Sequence, residues 1–262
     1  LTTLLTEDPS RTVAEIFDTS IEGIAATTDA AEVAKLFETR DLVTAPVTAP
    51  DGRLVGRITV DDVVDVIRDQ ADHSIMSMAG LDEDEDMFAP VITSSRRRAV
   101  WLGVNLATAF FAAWVVGLFQ ATIEQVVALA VLMPIVASMG GIAGSQTLTL
   151  MIRGLALGQV QDSNARWLMI REIAVGALNG LAWAAVVAAA TILWFNSWML
   201  GGIIALALLI NLVVAAISGV LIPLLMKRMG IDPALAGSVV LTTVTDAIGF
   251  LAFLGLGALL LT

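Results

Sequence analysis

The chain has 262 residues, 57% of them hydrophobic, with 25 Asp/Glu against 14 Lys/Arg and a mean hydropathy of +0.86. Only 15% of the residues are charged, against roughly 25% in an average soluble domain, which excludes a simple soluble globule. Cysteine is absent, which excludes disulfides and thiolate metal sites, and the single histidine, His73, flanked by Asp72 and Ser74, cannot build a His-rich zinc site and reads as a surface residue.

The charge is unevenly divided. Twenty of the acids and nine of the bases lie before Ala99, and the 164 residues that follow hold five of each. The first part reads as water-soluble and the second as lipid-embedded. The N-terminus is polar and acidic, with no signal peptide visible. It begins at Leu1 rather than at Met, so the chain is expected to be a piece of a longer one.

Residues 1–75 read as a small α+β domain. Ile24 to Ala26 is a short strand, and Asp29 opens an amphipathic helix through Phe37. Ala45 to Thr48 is a second strand, Asp51-Gly52 a hairpin turn, and Leu54 to Thr59 a third strand. Asp61-Asp62 then opens a helix with Val63, Val64, Val66 and Ile67 on its apolar side. Residues 76–98 form an acidic linker: Leu81, the acid run Asp82 to Asp86, Met87 to Ser95, and three arginines. The acid run reads as a solvated linker or a helix start, or as the border of a helix that leads into the membrane and senses cations.

Residues 99–262 contain five apolar stretches, at about 99–123, 125–155, 166–194, 198–226 and 233–262. Each supplies the roughly 20 residues that a helix needs to cross about 30 Å of hydrocarbon. The turn between the third and fourth lies at Trp194 to Trp198, where two indoles suit an interfacial belt. Arg96 to Arg98, then Arg153, Arg166 and Arg171, then Lys227 and Arg228 fall on alternate connections, and the other two connections carry no base. The positive-inside rule therefore predicts a cytoplasmic N-terminus and, with five spans, a C-terminus outside.

Two spans are more than anchors. The second carries Pro134 and then Gly140-Gly141-Ile142-Ala143-Gly144-Ser145-Gln146, which reads as a close-packing interface or as the lining of a water-filled path. Gln146 and Thr147 add polarity that packing does not need. In the fifth, Asp232-Pro233 is a helix start, and Asp246 follows 14 residues later, about 21 Å along the helix. Ser238, Thr242, Thr245, Asp246 and Gly249 share a face by their spacing. A carboxylate at that depth costs at least about 2.5–3.5 kcal/mol and needs a partner or water. No Lys or Arg lies deep within a span to pair with it. Asp246 is therefore the ion-site candidate, with Asp232, Thr242, Thr243, Thr245, Gln146 and Asn211 as weaker lining candidates. Asn211 reads either as lining or as an interhelical hydrogen bond, Asn179-Gly180 is ambiguous in the same way, and Glu172 reads as interfacial.

The donors on offer are hard oxygens, which suit Mg²⁺, Ca²⁺ or Mn²⁺ over zinc or copper. One Asp per chain matches a dication poorly, whereas two Asp around a two-fold axis neutralise it, so a homodimer is expected. There is no phosphate-binding loop, and no second acid, Cys or His deep within the spans to work with Asp246 as an enzyme would need. The alternatives to passive transport are an ion-coupled divalent cation exchanger and a membrane sensor without transport.

Residues 51–62, Asp51-Gly52-Arg53-Leu54-Val55-Gly56-Arg57-Ile58-Thr59-Val60-Asp61-Asp62, resemble the closing run of a CBS domain. Such domains come in pairs, so Leu1 to Ser10 is read as the tail of a missing first one. A CBS domain, an acidic connecting segment and five spans, with the Pro134 to Gln146 and Asp232 to Gly249 motifs, resemble the MgtE family of magnesium channels. The resemblance implies a mainly α fold, with a five-helix transmembrane bundle behind a partial CBS domain and a connecting plug helix at about Asp82 to Ser94. It further implies a homodimeric Mg²⁺ path in the plasma membrane, with Asp246 at the ion site, closed by cytoplasmic Mg²⁺ through the CBS domain, which can also take a nucleotide. Asp61, Asp62, Asp65, Asp69 and Asp72 are then candidates for regulatory metal, or else mostly the polar face of a helix. The family often shows Asn where this chain has Ile142.

Overall fold

The computed structural model describes residues 6, 8, 10–12, 15, 22–81 and 86–261, without the side chain of residue 162. It divides into two compact units, 1–73 and 74–262.

In the first unit, β1 (Ile24–Ala25) lies parallel to β2 (Thr44–Thr48), and β3 (Leu54–Thr59) returns antiparallel to it, giving the order β1-β2-β3. Parallel neighbours need a crossover. It is supplied by α1 (Ala30–Arg40), which Asp29 caps by accepting from the Ala31 amide and which ends on Asp41 at φ 49°. The hairpin turns on Gly52 at φ 80°, where the absence of a Cβ removes the usual penalty. Ile24, Val33, Ala34, Phe37, Ala45 and Val63 close a small core, and Leu54, Val55, Val64 and Ile67 stay exposed. The last helix, α2 (Val60–Met78), starts where Asp62 Oδ2 reaches back to the Thr59 amide at 2.9 Å, the reciprocal half of a capping box. The division between the units falls inside α2. Its final residue, Met78, packs on the cluster of Leu148, Ile152, Ile222, Met226, Ala234 and Leu241.

Among the described residues of the second unit, five helices are long and apolar enough to cross a membrane. They are α3 (Val91–Gly117), α5 (Val127–Ala156), α6 (Asp162–Phe195), α7 (Trp198–Arg228) and α8 (Pro233–Leu261), with a short α4 (Gln120–Gln125) after the first. The fold is therefore mainly α, with a small sheet ahead of a five-helix bundle.

The first span differs from the expected 99–123. Pro90, at φ −55° and ψ 138°, is extended, and the helix starts directly after it. No proline follows within it and nothing at the arginines stops it, so the three arginines are simply part of α3. Residues 120–123, expected to complete that span, belong to α4 instead, ended by Val126 at ψ 78°. The expected separate plug helix also changes. Residues 82–85 lie outside the described ones, 86–90 are turn and bend, and Val91 to Ser94 are the first turn of α3. The helix that leads from the first unit toward the membrane helices is α2.

α7 is the centre of the bundle, with 56% of its apolar window buried against 11–28% in the other four. Lipid offers helices no hydrophobic gain on association, so close backbone approach has to hold them. The structure provides it at glycines. A Cβ at Gly176 would meet Leu212 O of α7 at 3.0 Å, one at Gly180 Leu209 Cδ1 of α7 at 2.8 Å, one at Gly144 Leu241 of α8 at 2.9 Å, and one at Gly257 Leu129 of α5 at 2.9 Å. α6 and α7 form a hairpin through Asn196, at φ 50°, and Ser197, whose hydroxyl caps α7 by accepting from the Leu200 amide. Trp194 and Trp198 flank that turn and are 70% and 80% exposed, as an interfacial pair should be.

Candidate functional site

The fifth membrane helix presents two faces that a count of spacing merges into one. Ala234, Gly237, Leu241, Thr245, Gly249 and Phe253 are buried, and this stripe at intervals of three and four runs along α5 and α7. Ser238, Thr243 and Asp246 are partly exposed and Thr242 is exposed. Thr245 thus leaves the set of lining candidates: it is fully buried, and its hydroxyl donates to Thr242 O at 3.1 Å. Thr242 donates to Ser238 O at 2.9 Å and Thr243 to Val239 O at 2.7 Å. With their protons committed to their own helix, both hydroxyl oxygens keep lone pairs free to accept.

Asp246 makes no hydrogen bond or ion pair to any described residue. Its height in the bundle follows from the antiparallel register of α5 and α8. Leu148 packs at Gly237, Leu241 at Gly144 and Leu129 at Gly257, while Asn211 of α7 touches both Gly140 and Gly249. Between Leu241 and Gly249, Asp246 therefore stands level with the glycine-rich run 140–144.

That run has an outer and an inner side. Gly141, Ile142, Ser145, Gln146, Thr149 and Leu150 line one open groove along α5, so Gln146 is on an accessible face. Gly140, Gly144 and Thr147 are buried. Asn211 lies wholly inside: it is 0% exposed, its Nδ2 donates to Val136 O at 2.9 Å, and its Oδ1 has no partner. It joins three helices and does not line a face. Asp232 caps α8 by accepting from the Ala234 amide at 2.9 Å, at the end of the helix remote from Asp246.

Its charge and its place beside Arg171 mislead about Glu172. Expected at the interface, it is buried, with Oε1 2.7 Å from Arg171 Nη1 and Oε2 accepting from Thr147 Oγ1 at 3.1 Å. A signal for this lay in α6 itself: Glu172, Gly176, Gly180 and Ala184 recur every four residues, and all four are buried. The small-residue stripe that docks α6 on α7 extends one turn back onto the acid.

In the first unit, Asp61, Asp62, Asp65, Asp69 and Asp72 are all exposed. Asp62 is engaged in capping, and Asp72 lies 4.0 Å from Arg68. The single proton of the Thr59 hydroxyl is set on Asp62 Oδ2 at 3.0 Å, and its share with Asp61, helped by the local amides and Arg57, keeps the Asp61 carboxyl below the usual range. Among the described residues, no three His, Asp or Glu side chains gather closely enough to hold a metal ion. Asp246 is therefore not part of such a cluster among the described residues.

Comparison with known proteins points to two known domains. Residues 133–256 match the family model for MgtE, described as a divalent cation transporter, and residues 13–69 match the CBS domain. The proteins called "Magnesium transporter MgtE" from Bacillus subtilis and Thermus thermophilus are 30% and 31% identical to the chain, over 97% and 98% of its length. The protein of the same name from Enterococcus faecalis is 29% identical over 98%. The chain spans 56–58% of the length of these relatives. The MgtE match covers the groove of α5, the buried amide of α7 and the carboxylate of α8, and similarity continues through the CBS domain ahead of them: the chain carries an MgtE domain behind a CBS domain.

Proposed function

We propose that this chain forms a passive, Mg²⁺-selective path across the plasma membrane, built by two copies and gated by cytoplasmic Mg²⁺ acting through the CBS domain and the helix that leaves it. The observation that carries the reading is Asp246, a carboxylate in the middle of the last span with no basic partner among the described residues of its chain. Intramembrane acids are costly and mark ion pathways. The surrounding oxygens suit a hard dication, and Mg²⁺ keeps most of its water and needs only one or two carboxylates. The names of the relatives point to the same ion. Two copies would bring two Asp246 carboxylates to one Mg²⁺ and cover the polar faces of α5 and α8. The N-terminus is then cytoplasmic and the C-terminus outside. A nucleotide at the CBS domain would be a further regulator. No catalytic step belongs to this reading.

The test is Mg²⁺ flux into proteoliposomes. Asp246→Asn is expected to reduce it by at least about tenfold, the scale set by losing an intramembrane charge. Flux equal to that of the unsubstituted protein would remove Asp246 from the path. Flux measured against internal Mg²⁺ tests the gate, which predicts a fall as internal Mg²⁺ rises.

A further inference from the structure

One buried acid has no place in that reading. Glu172 is 7% exposed, and Thr147, which donates to it from α5, is 6% exposed. Threonines inside helices commonly return their hydroxyl proton to the preceding turn, and Thr242, Thr243 and Thr245 of α8 all do so. Thr147 instead sends its proton to a different helix, at 3.1 Å from Glu172 Oε2. The other carboxylate oxygen is held by Arg171 Nη1 at 2.7 Å. The arginine is itself half-exposed, so it reaches toward water while fixing the acid from outside.

The link sits where α5 is pinned from a second side. A Cβ at Gly219 of α7 would lie 2.7 Å from Thr147 Cβ and 3.0 Å from Gly144 O, so the two helices come close together at that level. Gly219 permits the approach, but it does not choose the rotation of α5 about its axis. A hydrogen bond to a carboxylate is directional and strengthened by charge, and strengthened further in a site poor in water. On α5, Thr147 follows directly on Ser145 and Gln146, both exposed on the open groove.

We propose that Glu172 is a positioning residue for the ion path: through Thr147 it fixes the rotation of α5 and so decides that Ser145 and Gln146 face the groove. The inference rests on reading that groove as part of the path, but its test needs no ion to move. The chain has no cysteine, so single introduced cysteines report their own exposure. Ser145→Cys and Thr149→Cys are each combined with Thr147→Val, Thr147→Ser or Glu172→Gln, and the rate of maleimide modification is measured in liposomes. Valine keeps the shape of Thr147 against Gly219 and removes only the donor, glutamine keeps the size of Glu172 and removes the charge, and serine keeps the donor.

The expected result is a change of about threefold or more in the ratio of the Ser145→Cys and Thr149→Cys rates with Thr147→Val, the scale of losing one interhelical bond in a membrane. The change should be smaller in the same direction with Glu172→Gln and absent with Thr147→Ser. An unchanged ratio in both Thr147→Val and Glu172→Gln overturns the proposal. So does a shift that Thr147→Ser reproduces, which would assign the effect to packing. Should Thr147→Val fail to fold, the Glu172→Gln and Thr147→Ser arms decide alone. If Asp246→Asn leaves flux intact while these ratios move, the transport reading fails and the positioning role of Glu172 stands.

Discussion

Asn211 shows how much one side chain can settle. Its amide lies between Gly140 and Gly249 with its donor on Val136 O, so α5 and α8 are both gauged against a single residue of α7. Asn211→Ala is expected to lower stability by about 1 kcal/mol for the lost bond, with a further loss from the space it leaves, read as a lower thermal midpoint in detergent. Gly140→Ala should cost more, because its methyl would overlap the amide. In the first unit, the Asp61 carboxyl titrates below its ordinary value of 3.8 because hydrogen bonds favour its charged form. That contribution is fully present above the unfolded value and is lost as pH falls through the folded one. Hydrogen exchange in the first turn of α2 should therefore rise only under more acid conditions than an isolated aspartate would suggest. Exchange that rises already near the unshifted value would remove the Thr59 contribution.

At the scale of elements, the glycines sort by what faces them. Gly219→Ala places a methyl 2.7 Å from Thr147 and 3.0 Å from Gly144 O, whereas Gly141→Ala meets nothing within 4 Å. The first is expected to destabilise the bundle by about 1–3 kcal/mol as an overpacking change, and the second to leave its thermal midpoint unchanged; equal effects would mean that α5 and α7 do not meet as described. The number of spans was legible because twenty uncharged residues in lipid have few alternatives to a helix. The start of the first one was not. Three arginines mark the edge of the hydrocarbon, but they are good helix formers, and nothing at Arg96 to Arg98 halts the backbone until Pro90 does so upstream. The same limit hid Glu172, since a rule that sorts residues by charge puts it at the surface while the four-residue stripe it shares with Gly176 and Gly180 puts it inside.

For the whole molecule, the candidate site was legible in its one unusual residue and illegible in its grouping. A lone carboxylate in an uncharged span is conspicuous in any sequence. Which of two adjacent stripes of α8 turns inward depends on α5 and α7, so Thr245 and Asp246, neighbours in the chain, end on opposite sides of a boundary that spacing alone does not draw. If two copies close around the exposed stripe, Thr242→Cys should yield a disulfide-linked dimer on mild oxidation in the membrane; a product that remains monomeric would count against a shared path there.

Asp246 also has an electrical meaning. It is the fourteenth of the 29 residues of α8, so in the proposed path a dication arriving there from either side would cross about half of the field. At about 2.3 kcal/mol per elementary charge per 100 mV, two charges over half the drop come to about 2.3 kcal/mol per 100 mV. Occupancy of the carboxylate from outside would then change by a factor of roughly fifty for each 100 mV of polarisation. A residue placed by helix register alone would thus make the load on the path a function of the energised state of the cell, with no voltage-sensing helix among the described residues.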